Sequence, residues 1–154
     1  MKKTLDSILA EHPFPKGLSR AHLKFLAGCA RNVRFEEGSF LLREGQGADH
    51  FFLIRRGRVS IEIYAPGRGA IPVQTVEAGE VLGWSWIVPP YRSRFDARAA
   101  TTVSAIALDG RCLRAKCARD HELGYELLRR FAAVVSRRLE ATRFQLLDLY
   151  GAGA

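Results

Sequence analysis

Apolar positions change their period along this chain, and each change marks the border of an element. Before residue 32 the pattern is helical and interrupted. Two short helices are predicted, split at His12-Pro13-Phe14-Pro15, where prolines remove backbone donors and push their predecessors out of helical geometry. Ser19 is placed to cap the second helix, Leu23, Leu26 and Ala30 form its buried stripe, and Gly28 weakens it near the end.

From Asn32 to Leu108 the period falls to two. Val33 and Phe35, Phe40 and Leu42, Phe52 and Ile54, then Val59, Ile61, Ile63, Ile71 and Val73 alternate with polar neighbours, as strands with one buried face do. Turn residues separate them at Glu37-Gly38, Glu44 to Gly47, Arg56-Gly57, Pro66 to Gly69 and Ala78-Gly79. The pattern predicts a compact antiparallel roll, with a tight hairpin where FFLI and RVSIEI flank Arg56-Gly57.

Beyond Asp109, which can cap a short helix through Arg111 to Cys117, the pattern is helical again from about Asp120 to Tyr150, with Gly151 as a stop. Leu128, Ala132, Val135, Leu139, Thr142, Leu146 and Leu149 step alternately by four and three, the narrow seam of a coiled coil. Leu127, Phe131 and Val134 form a second stripe that can face the roll. One half of the helix therefore has a face for its own domain and a face for something else, and a homodimer is the simplest partner. The competing reading is a helix lying flat on the roll.

The predicted fold class is mainly β with flanking helices: a jelly-roll-like antiparallel β-roll (32–108) between short N-terminal helices (1–31) and C-terminal helices (109–150), ending in a long dimerisation helix. One domain is expected over residues 1–154. The 154 residues, 47% hydrophobic and 26% charged, suffice for one core. A net charge of +8 attracts polyanions, but the arginines are spread along the chain, which suits solvated faces and small anions better than a nucleic-acid groove.

Cys29, Cys112 and Cys117 are odd in number and lack metal-ligand spacing, so neither a disulfide framework nor a metal site is expected, and a reducing cytoplasm follows. Two lysines near the start are not followed by an apolar core, which argues against a signal peptide, and no run is long and apolar enough for a membrane span. His12, His22, His50 and His121 are scattered, and each is expected as a surface or capping residue. Gly45-x-Gly47 and Gly67-x-Gly69 lack a following helix and are turns. No catalytic pairing is visible, so the chain is not expected to be an enzyme.

The order of elements carries a resemblance. Gly47-Ala48-Asp49, Phe51-Phe52-Leu53 and Gly57-Arg58-Val59 resemble the front half of the effector domain of Crp/Fnr-type regulators and other cyclic-nucleotide-binding domains, and residues 137–142 and 147–149 resemble their dimerisation helix. In those regulators that helix leads into a helix-turn-helix domain, whereas this chain stops there. The resemblance implies a phosphate-binding cassette over residues 79–99. Its carboxylate, which holds the ribose hydroxyl, would fall at Trp84, between Gly83 and Ser85. Its phosphate-binding arginine falls either at Arg92, followed by Ser93, or at Arg94, and Thr142 stands where the helix can touch the purine. A guanidinium suits a phosphate, but an indole cannot accept the hydroxyl protons that a carboxylate takes.

The expected function is a stand-alone regulatory sensor that binds cyclic AMP, a related cyclic nucleotide or another small anion and signals through its last helix to a downstream protein. The alternatives are a ligand-free interaction module, with Trp84 and Trp86 filling the pocket, and a transcription-regulator fragment.

Overall fold

The computed structural model describes residues 4–151; Lys2 and Lys3 of the signal-peptide argument lie outside the described residues. The chain runs α1 (Leu5–Glu11), α2 (Arg20–Ala27), β1 (Ala30–Phe35), β2 (Phe40–Leu42), β3 (His50–Arg56), β4 (Arg58–Ala65), β5 (Gly69–Glu77), β6 (Val81–Leu82), a single 3-10 turn (Ser85–Ile87), β7 (Asp96–Ala99), β8 (Val103–Asp109), α3 (Gly110–Arg119) and α4 (His121–Gly151). The helix caps are as expected. Ser19 Oγ accepts from the His22 N–H, and the Asp109 carboxylate accepts from the Cys112 N–H. Gly151 does not stop α4 but belongs to it.

The strands form two antiparallel sheets, β1-β8-β3-β6 and β2-β7-β4-β5. Period two serves a double purpose in the first of them. Along β3, Phe51 and Leu53 enter a core shared with the helices, while Phe52 and Ile54 enter the core between the sheets. Likewise in β8, Ile106 and Leu108 face the helical side and Ala105 and Ala107 the other sheet. FFLI is therefore continuously apolar because both of its faces are covered.

The hairpin expected at Arg56-Gly57 does not form. β3 pairs with β8 and β6, whereas β4 pairs with β5 and β7, so Gly57 carries the chain from one sheet to the other. Its φ is +88°, and a Cβ there would lie 2.3 Å from the Thr102 carbonyl oxygen, so only glycine fits. The hairpin is the next pair, β4 and β5, which run from Arg58 opposite Glu77 to Ala65 opposite Gly69 with one shift of register between Ile61 and Glu62. In β2 the inward residue is Leu41; Phe40 is 38% exposed beneath the Arg43 guanidinium, since the pairing with β7 shifts register there. Ile63 and Ile71 face each other across the hairpin and stay exposed.

Two further expectations are corrected. Cys29 and Cys112 form a disulfide, which leaves Cys117 free. β1 begins at Ala30 opposite Leu108 near the end of β8, so the residue before one strand and the helix after the other meet at one end of the sheet. That pairing removes the cysteine-count argument for a reducing compartment. His12 and His22 are buried rather than superficial. The His12 Nδ1 accepts from the Phe14 N–H, which leaves Nε2 as the donor to the Ile54 carbonyl, and His22 pairs with Asp120 at 3.2 Å. No described helix is long and apolar enough to cross a membrane.

Candidate functional site

The segment from Gly79 to Ala99 supplies one wall of a cavity and α4 supplies another. After β6, Gly83 adopts a φ of +95° and turns the chain into the 3-10 turn. Trp86 is fully buried there, stacked on Phe51 with centroids 4.9 Å apart and edge-on to Phe131. Trp84 is only partly covered. A cis Pro89-Pro90 bond and Tyr91, at φ +59°, then lead back toward the roll.

The expected site residues separate here. Arg92 forms an isolated bridge with Gly47, and its Nη1 donates to the Gly45 carbonyl at 2.8 Å, so it ties the cassette to the turn before β3. Ser93 is buried, and its backbone N–H donates to the Gln46 carbonyl and its carbonyl accepts from the Gly45 N–H. Arg94 instead lines a cavity of about 280 Å³ together with Trp84, Phe95, Ile61, Ile63, Val73 and Gln74 from the roll and Val135, Arg138, Leu139 and Thr142 from α4. Gly83, Ser85, Arg92 and Ser93 are not among its lining residues.

The electrostatics sharpen that division. Arg98 is consumed by the buried Glu62: its Nη2 donates at 2.8 Å and its Nε at 3.2 Å, and Ser60 adds a third donor. The Arg98 guanidinium, helped by Ser60, holds the Glu62 carboxyl below its ordinary range. Asp96 accepts from the Glu44 N–H and lies 3.6 Å from Arg43, so it does not neutralise the cassette arginines. Among the described residues Arg94 has no hydrogen bond or ion pair.

The helix wall is held by polar ties that the sequence pattern did not single out. Arg138 donates to the Val81 carbonyl, Gln145 to the Val73 carbonyl, and Gln74 to the Arg138 carbonyl and Thr142 Oγ1. Burial holds the Arg138 guanidinium below its ordinary range, and its Nη1 is buried without a partner. The available signal was its position beside Leu139, next to rather than on the seam. Of that seam, Leu128, Val135, Leu139, Leu146 and Leu149 are all exposed, Leu149 at 74%.

Such an open cleft, with Arg94 exposed at its side, can receive a small anion. Arg94 offers an uncompensated charge with paired donors and Trp84 a face for stacking, while the Thr142 hydroxyl already donates to the Arg138 carbonyl and accepts from Gln74. Comparison with known proteins shows the family and the fold of the chain. The family model of the cyclic nucleotide-binding domain matches residues 32–120. A CRP-like cAMP-activated global transcriptional regulator of Mycobacterium tuberculosis is 28% identical over 145 residues, which cover 94% of this chain and 63% of that protein. A protein of Geobacter metallireducens described as cyclic nucleotide-binding superposes with a TM-score of 0.78 at 27% identity, covering 90% of this chain and 99% of the other. A cyclic nucleotide-binding domain from Methylobacillus flagellatus shares the fold at a TM-score of 0.81 and 20% identity, over 94% and 85% of the two chains.

Proposed function

The chain belongs to the cyclic nucleotide-binding domain family, and on that premise we propose that it is a regulatory sensor that holds a small anionic ligand between Arg94 and α4. The ligand is a cyclic nucleotide or a related phosphate, and the signal leaves through α4 to a partner protein. The observation that carries this reading is the unpaired Arg94 in a cavity whose other wall is the helix itself. A ligand charge neutralised there changes the enclosure that Arg138, Leu139 and Thr142 complete, which is the differential contact that a coupled equilibrium needs. Trp84 in place of a carboxylate favours a ligand recognised by its phosphate and ring face rather than by its ribose hydroxyls.

The exposed apolar seam supports a homodimer, with each α4 covering the other's Leu128, Val135, Leu139, Leu146 and Leu149. We place the protein in the cytoplasm and assign it a regulatory rather than an enzymatic role. The chain spans 63% of the length of the M. tuberculosis relative, and transcriptional control is the lower-ranked reading of its role. The ligand-free module is the second reading. Fully buried Trp86 favours it, but the space beside Trp84 does not.

Calorimetric titration with cyclic AMP, cyclic GMP and cyclic dinucleotides tests the proposal. Binding of one of them is expected, with Arg94→Ala weakening it about 10- to 100-fold, the worth of a charge-assisted bond, and Arg92→Ala leaving it within about twofold. Absence of heat with every one of these ligands removes the nucleotide reading.

A further inference from the structure

The Cys29–Cys112 disulfide lies beneath a cleft, and it anchors α3, the helix that packs against the cassette turn. The cleft, of about 170 Å³, is lined by Gly28, Cys29, Arg31, His50, Asp109 and Cys112 among others. Cys29 is buried and Cys112 is partly exposed, so the sulfur within reach is that of Cys112. Arg31 lines the approach with positive charge, and Cys112 stands in the first turn of α3, its own N–H capped by the Asp109 carboxylate. Asp109 is already engaged as the cap of that turn. The third cysteine does not compete. Burial, with Asp120 nearby, pushes the Cys117 thiol up, which keeps it protonated at neutral pH.

α3 stands between two structures. On the α2 side it is held by the disulfide, by Lys116 donating to the Phe25 carbonyl at 2.8 Å, and by the His22–Asp120 pair at its end. On the cassette side Arg114 donates to the Trp86 carbonyl and lies over the Tyr91 ring at 4.1 Å. Gly110 packs so closely that a Cβ would come within 2.9 Å of the Trp86 Cβ. Any loosening of α3 is therefore passed to the turn that carries Trp84 and Trp86.

We propose that Cys29 and Cys112 are a thiol–disulfide exchange site, served by a dithiol reductant, whose state sets how firmly α3 holds that turn. One thiolate of the reductant attacks Cys112 Sγ. The Cys29–Cys112 bond breaks, and the Cys29 thiolate leaves and takes up a proton. The second thiolate of the reductant attacks its own sulfur in the mixed disulfide and releases Cys112. The reductant ends as a disulfide, two electrons having passed to the protein, and the oxidised form of the same reagent class reverses the sequence.

The inference does not depend on the ligand, so its test contains no nucleotide. Protein purified without reductant is tagged with a maleimide in denaturant, before and after graded dithiothreitol under native conditions, and weighed. Amide hydrogen exchange is then compared between the two states. The expected result is one tag before reduction and three after it, with exchange at residues 85–87 and 110–119 accelerating about tenfold or more while β3 and β8 keep their protection. The Cys29→Ser/Cys112→Ser double variant is expected to reproduce the reduced pattern, and reduction of the unmutated chain decides the matter if that variant does not fold. Three tags before reduction, unchanged exchange in α3, or loss of protection across both sheets would each overturn the proposal.

Discussion

The two halves of α4 are built on different principles. The first half, to Val134, buries Leu123, Gly124, Leu127, Phe131 and Val134, and Phe131 meets three aromatic rings: Phe14 at 4.9 Å, Phe51 at 5.1 Å and Trp86 at 5.5 Å. From Val135 onward no described apolar residue of the helix is buried, and Arg138 is partly covered. The second half is held to the roll by the carbonyl contacts of Arg138 and Gln145 and by the reach of Gln74. Apolar packing is strong and hard to rearrange, whereas each such hydrogen bond contributes about 0.5–1.5 kcal/mol and is easily exchanged for water. A free segment of this length is also a marginal helix in water. The anchored half therefore fixes the domain, and the cavity lined by Arg94 lies beside the more weakly held half.

The contrast is broken most severely by Phe131→Ala, which empties the ring cluster and is expected to lower unfolding free energy by about 3–5 kcal/mol in urea titration. A loss under about 1 kcal/mol would mean that the first half is not the anchor. Next in size, Leu139→Glu with Leu146→Glu places charges on the seam. Light scattering is expected to show a monomer, with near-ultraviolet circular dichroism of the aromatic core unchanged. A variant that stays dimeric places the interface elsewhere.

The smallest effect is one of acid. His12 fastens Phe14, which packs on Phe131, and burial depresses its pKa. The unfolded chain binds that proton more readily, so the contribution is complete above about pH 6.5 and is lost as pH falls toward the folded value, by at most about 1.4 kcal/mol per pH unit. Urea midpoints at pH 7.5 and 5.5 are expected to converge in His12→Gln. An equal acid loss in that variant assigns the effect to other groups.

Features that depend on a few neighbouring residues were legible in the sequence. The caps at Ser19 and Asp109, the break at Pro13 and the inward stripe of Leu127, Phe131 and Val134 all follow from local chemistry. Partition of the strands between sheets was not legible, because FFLI and RVSIEI around Gly57 satisfy a hairpin pattern and a crossing equally well. The disulfide was missed because an odd count says nothing of proximity, and Cys29 and Cys112 are 83 residues apart. At the candidate site, sequence narrowed the guanidinium to Arg92 or Arg94, but their division between a carbonyl tie and a cavity depends on where the turn at Gly45 lies.

The crossing at Gly57 also bears on how the chain folds. Because most consecutive strands enter different sheets, β1 waits for β8, β3 for β6 and then β8, and β2 for β7; among the described sheet pairings only β4 with β5 closes locally. High contact order of this kind places folding on a time scale of about milliseconds to seconds, with loop-closure entropy spent before the long-range contacts are gained. During synthesis the first strands emerge with open edges and no partner, and the hairpin of β4 and β5 is the earliest piece of sheet that can form.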